Sequence, residues 1–258
     1  MNVCLLPATL CHLHLEGLKV LQDVSAISNL RNLQYLTLRS LPNLTLLTDM
    51  TNSQSLTHLT ISRCPKFSTL KRDQSLSMAS SFLEPLHELE YLNVSETNAS
   101  SADFHSLWLR LSYSNSVLPT LISTLLCLDL SCCPITNVSS LAHFTALKSL
   151  NLSYCTQIVS LRELVVEHLD GKQIGLASLE SLSLRGLRRL DVSALVNIPA
   201  LTTLDLRDCF QVSQHHHHYR PSPKPSLLST TSPSPALPTD RGPARFKKSF
   251  MFNSFGTL

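Results

Sequence analysis

The phrase L-x-x-L-x-L-x-x-C recurs along this chain and limits what it can fold into more than any other feature. It reads LLCLDLSCC from Leu125, LKSLNLSYC from Leu147 and LTTLDLRDC from Leu201. With the last place relaxed it occurs eight times, with first leucines at Leu10, Leu33, Leu56, Leu89, Leu125, Leu147, Leu179 and Leu201. Four of the seven steps between them are 22 or 23 residues; the other three, of 33, 36 and 32, read as one period plus an inserted loop. The insertions fall near 65–88, 96–124 and 162–178, so the array occupies 1–213 as one domain.

The frame has a physical reading of its own. In L-x-L the side chains alternate across a strand, so Leu128 and Leu130 point one way while Cys127, Asp129 and Ser131 point the other. One strand of this kind cannot bury its leucines alone. Stacked at about 4.8 Å, successive repeats can, forming a parallel sheet along one side of a solenoid. The ninth place of the frame turns inward where the chain leaves the sheet. It holds Leu18, Leu41, Cys64, Thr97, Cys133, Cys155, Leu187 and Cys209, a set that asks for a compact, mostly apolar group. Cys132, in the eighth place with Arg63, Tyr154 and Asp208, reads as a free position, so the Cys132-Cys133 doublet is no redox pair.

These features resemble the leucine-rich-repeat family over roughly residues 5 to 213. Cysteine stands where that family usually has asparagine, and Pro134 to Leu141, PITNVSSL, is similar to a phrase of the short repeats of bacterial internalins and protozoan repeat proteins. Asp23-Val24-Ser25 and Asp191-Val192-Ser193 echo it. There is a weaker similarity to a phosphatase regulatory subunit and to F-box proteins. The resemblance implies an α/β class fold: a curved horseshoe with the parallel sheet on its concave face and loops, turns or short helices on its convex face.

Composition suits such an array, with 43% hydrophobic residues, 15% charged residues and a formal charge of +3. The excess positive charge lies at the end. From Gln214 onward Arg220, Lys224, Arg241, Arg245, Lys247 and Lys248 face one acid, Asp240, which leaves the repeats near neutral and without a field to gather nucleic acid. Residues 214–258 are rich in Pro and Ser, lack the frame, and are expected to be disordered. Within them, His215 to His218 read as a low-complexity run. Ser222, Ser232 and Ser234 precede prolines, and Phe246 to Phe252 alternates apolar and basic residues, a pattern able to touch a membrane surface or a groove.

The start, MNVCLLPATLCHL, enters the first repeat without a basic residue, which predicts no cleavable leader. The scattered cysteines read as reduced thiols, and the cytoplasm is favoured. An extracellular or surface location stays open if the amino terminus is incomplete. The sequons at Asn43, Asn93, Asn98, Asn137 and Asn151 weigh little, because the strand phrase itself generates two of them.

No phosphate-binding glycine loop, metal-ligand spacing or nucleophile motif occurs, so no catalytic residue, metal or cofactor is assigned. The informative places are those that face outward. The third place of the frame reads His12, Tyr35, His58, Tyr91, then Cys127, Ser149, Ser181 and Thr203: four rings followed by small groups. The fifth contributes His14, Asn93, Asp129 and Asn151, and the seventh Arg39, Arg185 and Arg207. Tyrosine buries much area at little entropic cost, so the ring column and its polar neighbours form a candidate surface for a protein or peptide. The loop 96–124, with Trp108 and Tyr113, is a second candidate. The expected function is a non-catalytic interaction module. The alternatives are a regulatory or substrate-receptor subunit of a ubiquitin ligase or phosphatase, and a surface adhesion protein.

Overall fold

A computed structural model of the protein describes residues 6–22, 24–45, 47, 50–68, 83, 85–105, 107, 121–167, 173–209, 211–213 and 249–251. Each repeat contributes one strand: β1 (His12–Glu16), β2 (Tyr35–Arg39), β3 (His58–Ser62), β4 (Tyr91–Asn93), β5 (Cys127–Asp129) and β6 (Ser149–Asn151). There follow β7 (Val165–Glu167), β8 (Gln173–Gly175), β9 (Ser181–Ser183), β10 (Arg189–Asp191), β11 (Thr203–Asp205), β12 (Gln211–Ser213) and β13 (Ser249–Met251). The main sheet runs β1-β2-β3-β4-β5-β6-β9-β11-β13, parallel throughout and open at both ends.

Its register is the frame itself. Leu36 pairs with Leu13 and Leu59, Leu92 with Leu128, and Leu150 with Leu182. The steps of 33, 36 and 32 residues leave this pairing unshifted, because the extra residues leave and rejoin the frame outside the strands. The first, fourth and sixth leucines form one continuous core, with Leu33, Leu36, Leu38, Leu147, Leu150 and Leu152 all buried. Phe67 and Phe144 are the largest side chains fully enclosed in it.

Two kinds of hydrogen bond tie every repeat to the next, a third is added where the ninth place is cysteine, and each belongs to a fixed place. The second-place carbonyl accepts two amides from the following repeat, as where Gln34 and Tyr35 both donate to Cys11 O at 2.8 and 3.0 Å. The eighth-place amide donates forward to the seventh-place carbonyl of the next repeat at every step: Gly17 to Arg39, Ser40 to Ser62, Arg63 to Ser95, Glu96 to Ser131, Cys132 to Ser153, Tyr154 to Arg185 and Gly186 to Arg207. The ninth-place thiol donates backward to the sixth-place carbonyl. Cys133 reaches Val94 O, Cys155 reaches Leu130 O and Cys209 reaches Leu184 O, each at 3.1 Å, while Cys64 lies 3.8 Å from Leu38 O.

The second of these sets explains the backbone of the eighth place. Gly17, Ser40, Arg63, Glu96, Cys132, Tyr154, Gly186 and Asp208 all have positive φ, from 52° to 71°. The left-handed turn swings that amide out of the strand direction and aims it at the neighbouring repeat. Six of the eight are not glycine and bear the steric cost of that conformation, about 1–2 kcal/mol each. The eighth place is therefore free in side chain but fixed in backbone, which corrects its reading as merely variable.

Away from the sheet, the expected turns and short helices are 3-10 segments at Ser25–Asn29, Ser139–His143 and Ser193–Asn197, each entered through a valine, Val24, Val138 or Val192. The Asn/Asp-Val-Ser phrase has a local cause here. Asn137 Oδ1 accepts the Ser139 amide at 2.8 Å, and Asp191 Oδ1 accepts that of Ser193 at 3.0 Å, closing side-chain turns that start the helix. The insertion near 162–178 holds an antiparallel hairpin, β7 with β8. A second parallel pair, β10 with β12, lies outside the main sheet. The expectation of a disordered tail meets one exception among the described residues: Ser249–Met251 pairs with β11. The remainder of 214–258, including His215 to His218, lies outside the described residues.

Candidate functional site

In-register parallel strands set like places of the frame one above another at the strand spacing. At the third place this brings four rings into one stack. His12 and Tyr35 have ring centroids 4.5 Å apart and planes within 5°; Tyr35 and His58 are 4.5 Å apart at 26°; His58 and Tyr91 are 5.6 Å apart at 18°. Each such contact contributes about 0.5–1.5 kcal/mol beyond area burial, so the column also staples the first four strands. The rings cover one another's faces and leave edges to solvent; Tyr35 keeps 38% of its surface exposed. The same column continues through Cys127, Ser149, Ser181 and Thr203, small side chains that make a low floor beside the ring ridge.

The fifth and seventh places flank the column. At the amino-terminal end, His14 Nε2 lies 3.2 Å from Glu16 Oε2, and Arg39 Nε lies 3.7 Å from Glu16 Oε1. Both contacts are exposed and add little stability. Further along, the fifth-place Asn and Asp residues have a job inside the chain. Asn93, Asp129, Asn151 and Asp205 each accept, through Oδ1, the amide two residues on, that of Ser95, Ser131, Ser153 or Arg207, at 2.9–3.1 Å. These bonds close the strand exit that leads into the left-handed eighth place.

At the carboxy-terminal end the arginines are paired. Arg207 binds Asp205 through Nε at 2.9 Å and a terminal nitrogen at 2.6 Å, and these bonds are the chief reason the Asp205 carboxyl is held below the usual carboxylate range. Arg185 donates to Asp208 Oδ2 at 2.8 Å, which likewise lowers that carboxyl. The Tyr154 hydroxyl donates to the same oxygen at 3.2 Å, and the Arg185 guanidinium sits 5.8 Å from the Tyr154 ring centroid. To reach Asp208 the Tyr154 ring crosses directly over Gly186: a Cβ on that glycine would lie 2.3 Å from Tyr154 Cδ1. Tyr154 and Asp208 thus join the candidate surface from the eighth place, where the frame gave no reason to look. The one sequence signal was the glycine between them.

Six of the described thiols are shifted away from nucleophilic chemistry. Burial is the largest cause pushing Cys64, Cys127, Cys132, Cys133 and Cys209 upward, and Cys155 is pushed up to about 12. A reactive cysteine needs the opposite shift. Cys132 is exposed at the turn while Cys133 is buried, so the doublet splits between two environments. Among the described residues no cluster of three His, Cys, Asp or Glu side chains is placed to hold a metal, and no helix is long and apolar enough to cross a membrane. Trp108 and Tyr113, the second candidate, lie outside the described residues.

One strand per repeat, stacked in register with an inward ninth place, defines a leucine-rich-repeat solenoid. Among solved structures the chain is similar to internalin C2 from Listeria monocytogenes, at 23% identity over 80% of this chain and 74% of that one, with a TM-score of 0.52. It also matches the leucine-rich repeat domain of the type III effector XopL, at 21% identity over 77% and 69% with a TM-score of 0.49. A third match is a Listeria monocytogenes internalin, InlF, at 20% identity over 80% and 63% with a TM-score of 0.39. The likeness to internalin C2 is one of fold. No protein-family model and no curated protein sequence matches the chain.

Proposed function

We propose that the protein is a non-catalytic interaction module that binds a protein or peptide partner across its concave sheet face, with the ring column as anchor. The observation that carries this reading is the unbroken stack His12-Tyr35-His58-Tyr91, standing on the open face rather than in the core. Ring edges offer hydroxyl and imidazole groups at a fixed pitch, and the small residues beyond Tyr91 leave room for a partner's own bulk. Arg39, Arg185 and Arg207 contribute charge and His14 an imidazole at the two ends of the face, while Asn93, Asp129 and Asn151 contribute their outward atoms. Regulatory-subunit and adhesion roles would use the same face and differ in the partner found. The free thiols that bridge repeats favour a reducing compartment, and so the cytoplasm.

The test is quantitative capture from the native cell with three proteins: wild type, the Tyr35→Ala/Tyr91→Ala double variant, and a Val159→Ser/Val196→Ser control, whose exposed valines lie outside the main sheet. Two central anchors are worth at least about 2 kcal/mol each, so partners retained by the wild type and the control should be depleted 30-fold or more by the double variant. Equal capture by all three, with the far-UV circular dichroism unchanged, overturns the assignment of the ring column.

A further inference from the structure

The forward hydrogen bonds of the array have a last member. Position-six amides donate to the next repeat, as Val94 does to Asp129 O, Leu130 to Asn151 O, Leu152 to Ser183 O and Leu184 to Asp205 O, at 2.9–3.0 Å. By the same geometry the amides of Leu204 and Leu206 face outward from β11, where the repeats end. With Ser249–Met251 in place, Leu204 and Leu206 are 6% and 8% exposed, against 1% and 0% for Leu182 and Leu184 one repeat earlier. A sheet edge whose amides point away from the array is a template for another strand.

The chain supplies that strand itself. Ser249–Met251 runs parallel to β11 in the register of the array, with Ser249 opposite Thr203, Phe250 opposite Leu204 and Met251 opposite Asp205. Phe250 therefore takes the fourth place of the frame in register, and in the sequence Phe252 follows it at the spacing of the L-x-L phrase. We propose that the β11 edge is a strand-docking site selective for an aromatic-x-aromatic segment, and that its occupant is this chain's own 249–252 segment, acting in cis as a tethered cap. The Pro- and Ser-rich stretch that connects Ser213 to Ser249 has no frame of its own and serves as the tether. Such a tether keeps the segment at an effective concentration of about a millimolar, enough to hold a short strand that would not bind from dilute solution. The cap lengthens the open face by one rung and carries the third-place column on from Thr203 to Ser249.

Hydrogen exchange of the full chain tests this, with Met251→Pro as the perturbation, since the register turns the Met251 amide back toward Leu204 O and proline there removes that donor from the paired strand. The expected result is exchange at the Leu204 and Leu206 amides at least tenfold faster in the variant, with Leu150 and Leu182 unchanged. A synthetic peptide of residues 244–256, added to the full-length variant at a concentration above the tether's effective one, should restore the slow rates. The wild type should remain monomeric by light scattering at the concentrations used. Identical rates at Leu204 in the two proteins, or failure of the peptide to restore protection, overturn the docking site. Protection in the wild type that appears only in a concentration-dependent dimer overturns the cis assignment.

Discussion

Gly17 and Gly186 occupy the same place of the frame, with φ of +70° and +71°, but differ in what surrounds them. A Cβ on Gly17 would meet nothing within 4 Å, whereas one on Gly186 would lie 2.3 and 2.4 Å from Tyr154 Cδ1 and Cε1. Alanine at either site bears the same left-handed backbone penalty, about 1–2 kcal/mol. At Gly186 the ring must also move out by more than about 1 Å to regain ordinary carbon contact. That movement breaks the hydroxyl bond to Asp208 and the guanidinium contact, a further cost that Gly17 does not carry. Gly17→Ala should therefore cost about 1–2 kcal/mol, and Gly186→Ala measurably more, in urea unfolding. Because repeat arrays can unfold from an end, the slope of the transition is compared along with its midpoint. The decisive measurement is the cycle with Tyr154→Ala: in that background the cost of Gly186→Ala should fall to that of Gly17→Ala. If the two glycine variants cost the same in the wild-type background, or the excess survives removal of the ring, the placement of Tyr154 over Gly186 is wrong.

The thiol ladder predicts alkaline lability of a definite sign. Cys155 stays protonated in the folded protein to about pH 12, while the unfolded thiol ionises near its ordinary value of 9.0. The unfolded state gives up its proton first, so stability falls with pH across that window, by about 1.4 kcal/mol per unit. Under reducing conditions, unfolding free energies at pH 8 and 10.5 should fall further in the wild type than in Cys155→Val, by roughly 2 kcal/mol; equal falls would contradict a buried thiol. Asp129→Ala should cost about 0.5–1.5 kcal/mol through the lost bond to the Ser131 amide, and Asp129→Asn should recover most of it, as thermal unfolding of the pair would reveal.

The sheet was legible because its code is periodic: Leu128 and Leu130 declare the strand, and seven repetitions remove the ambiguity of any one. The inward ninth place was legible for the same reason, down to the separation of Cys133 from Cys132. What stayed hidden was set by backbone rather than side chain. Ser40, Arg63, Glu96, Cys132, Tyr154 and Asp208 share a left-handed turn, yet their side chains have no type in common, because it is the backbone amide, and not the side chain, that the turn aims at the next repeat. The double duty of Asp129 and Asn151 was obscured in a similar way. Their alternation marks them as outward-facing, and only the turn geometry shows that one oxygen of each is already used. The segment around Ser249–Met251 was legible as able to touch a groove but not as a strand of the array, because it carries no leucine and no second copy.

The hydrogen bonds that join repeats connect fixed places of the frame, so the array counts turns and not residues. His58 and Tyr91 are 33 residues apart and His12 and Tyr35 only 23, yet each pair is one step along the same stack. Sequence added or removed between strands therefore leaves the pitch of the open face untouched, as on a ruler whose marks are cut separately from its length. The insertions near 65–88, 96–124 and 162–178 can diverge, lengthen or accept foreign segments while the spacing that a bound partner reads stays the same. Deleting one whole repeat would do the reverse: it would preserve every local contact and displace everything beyond it by one mark.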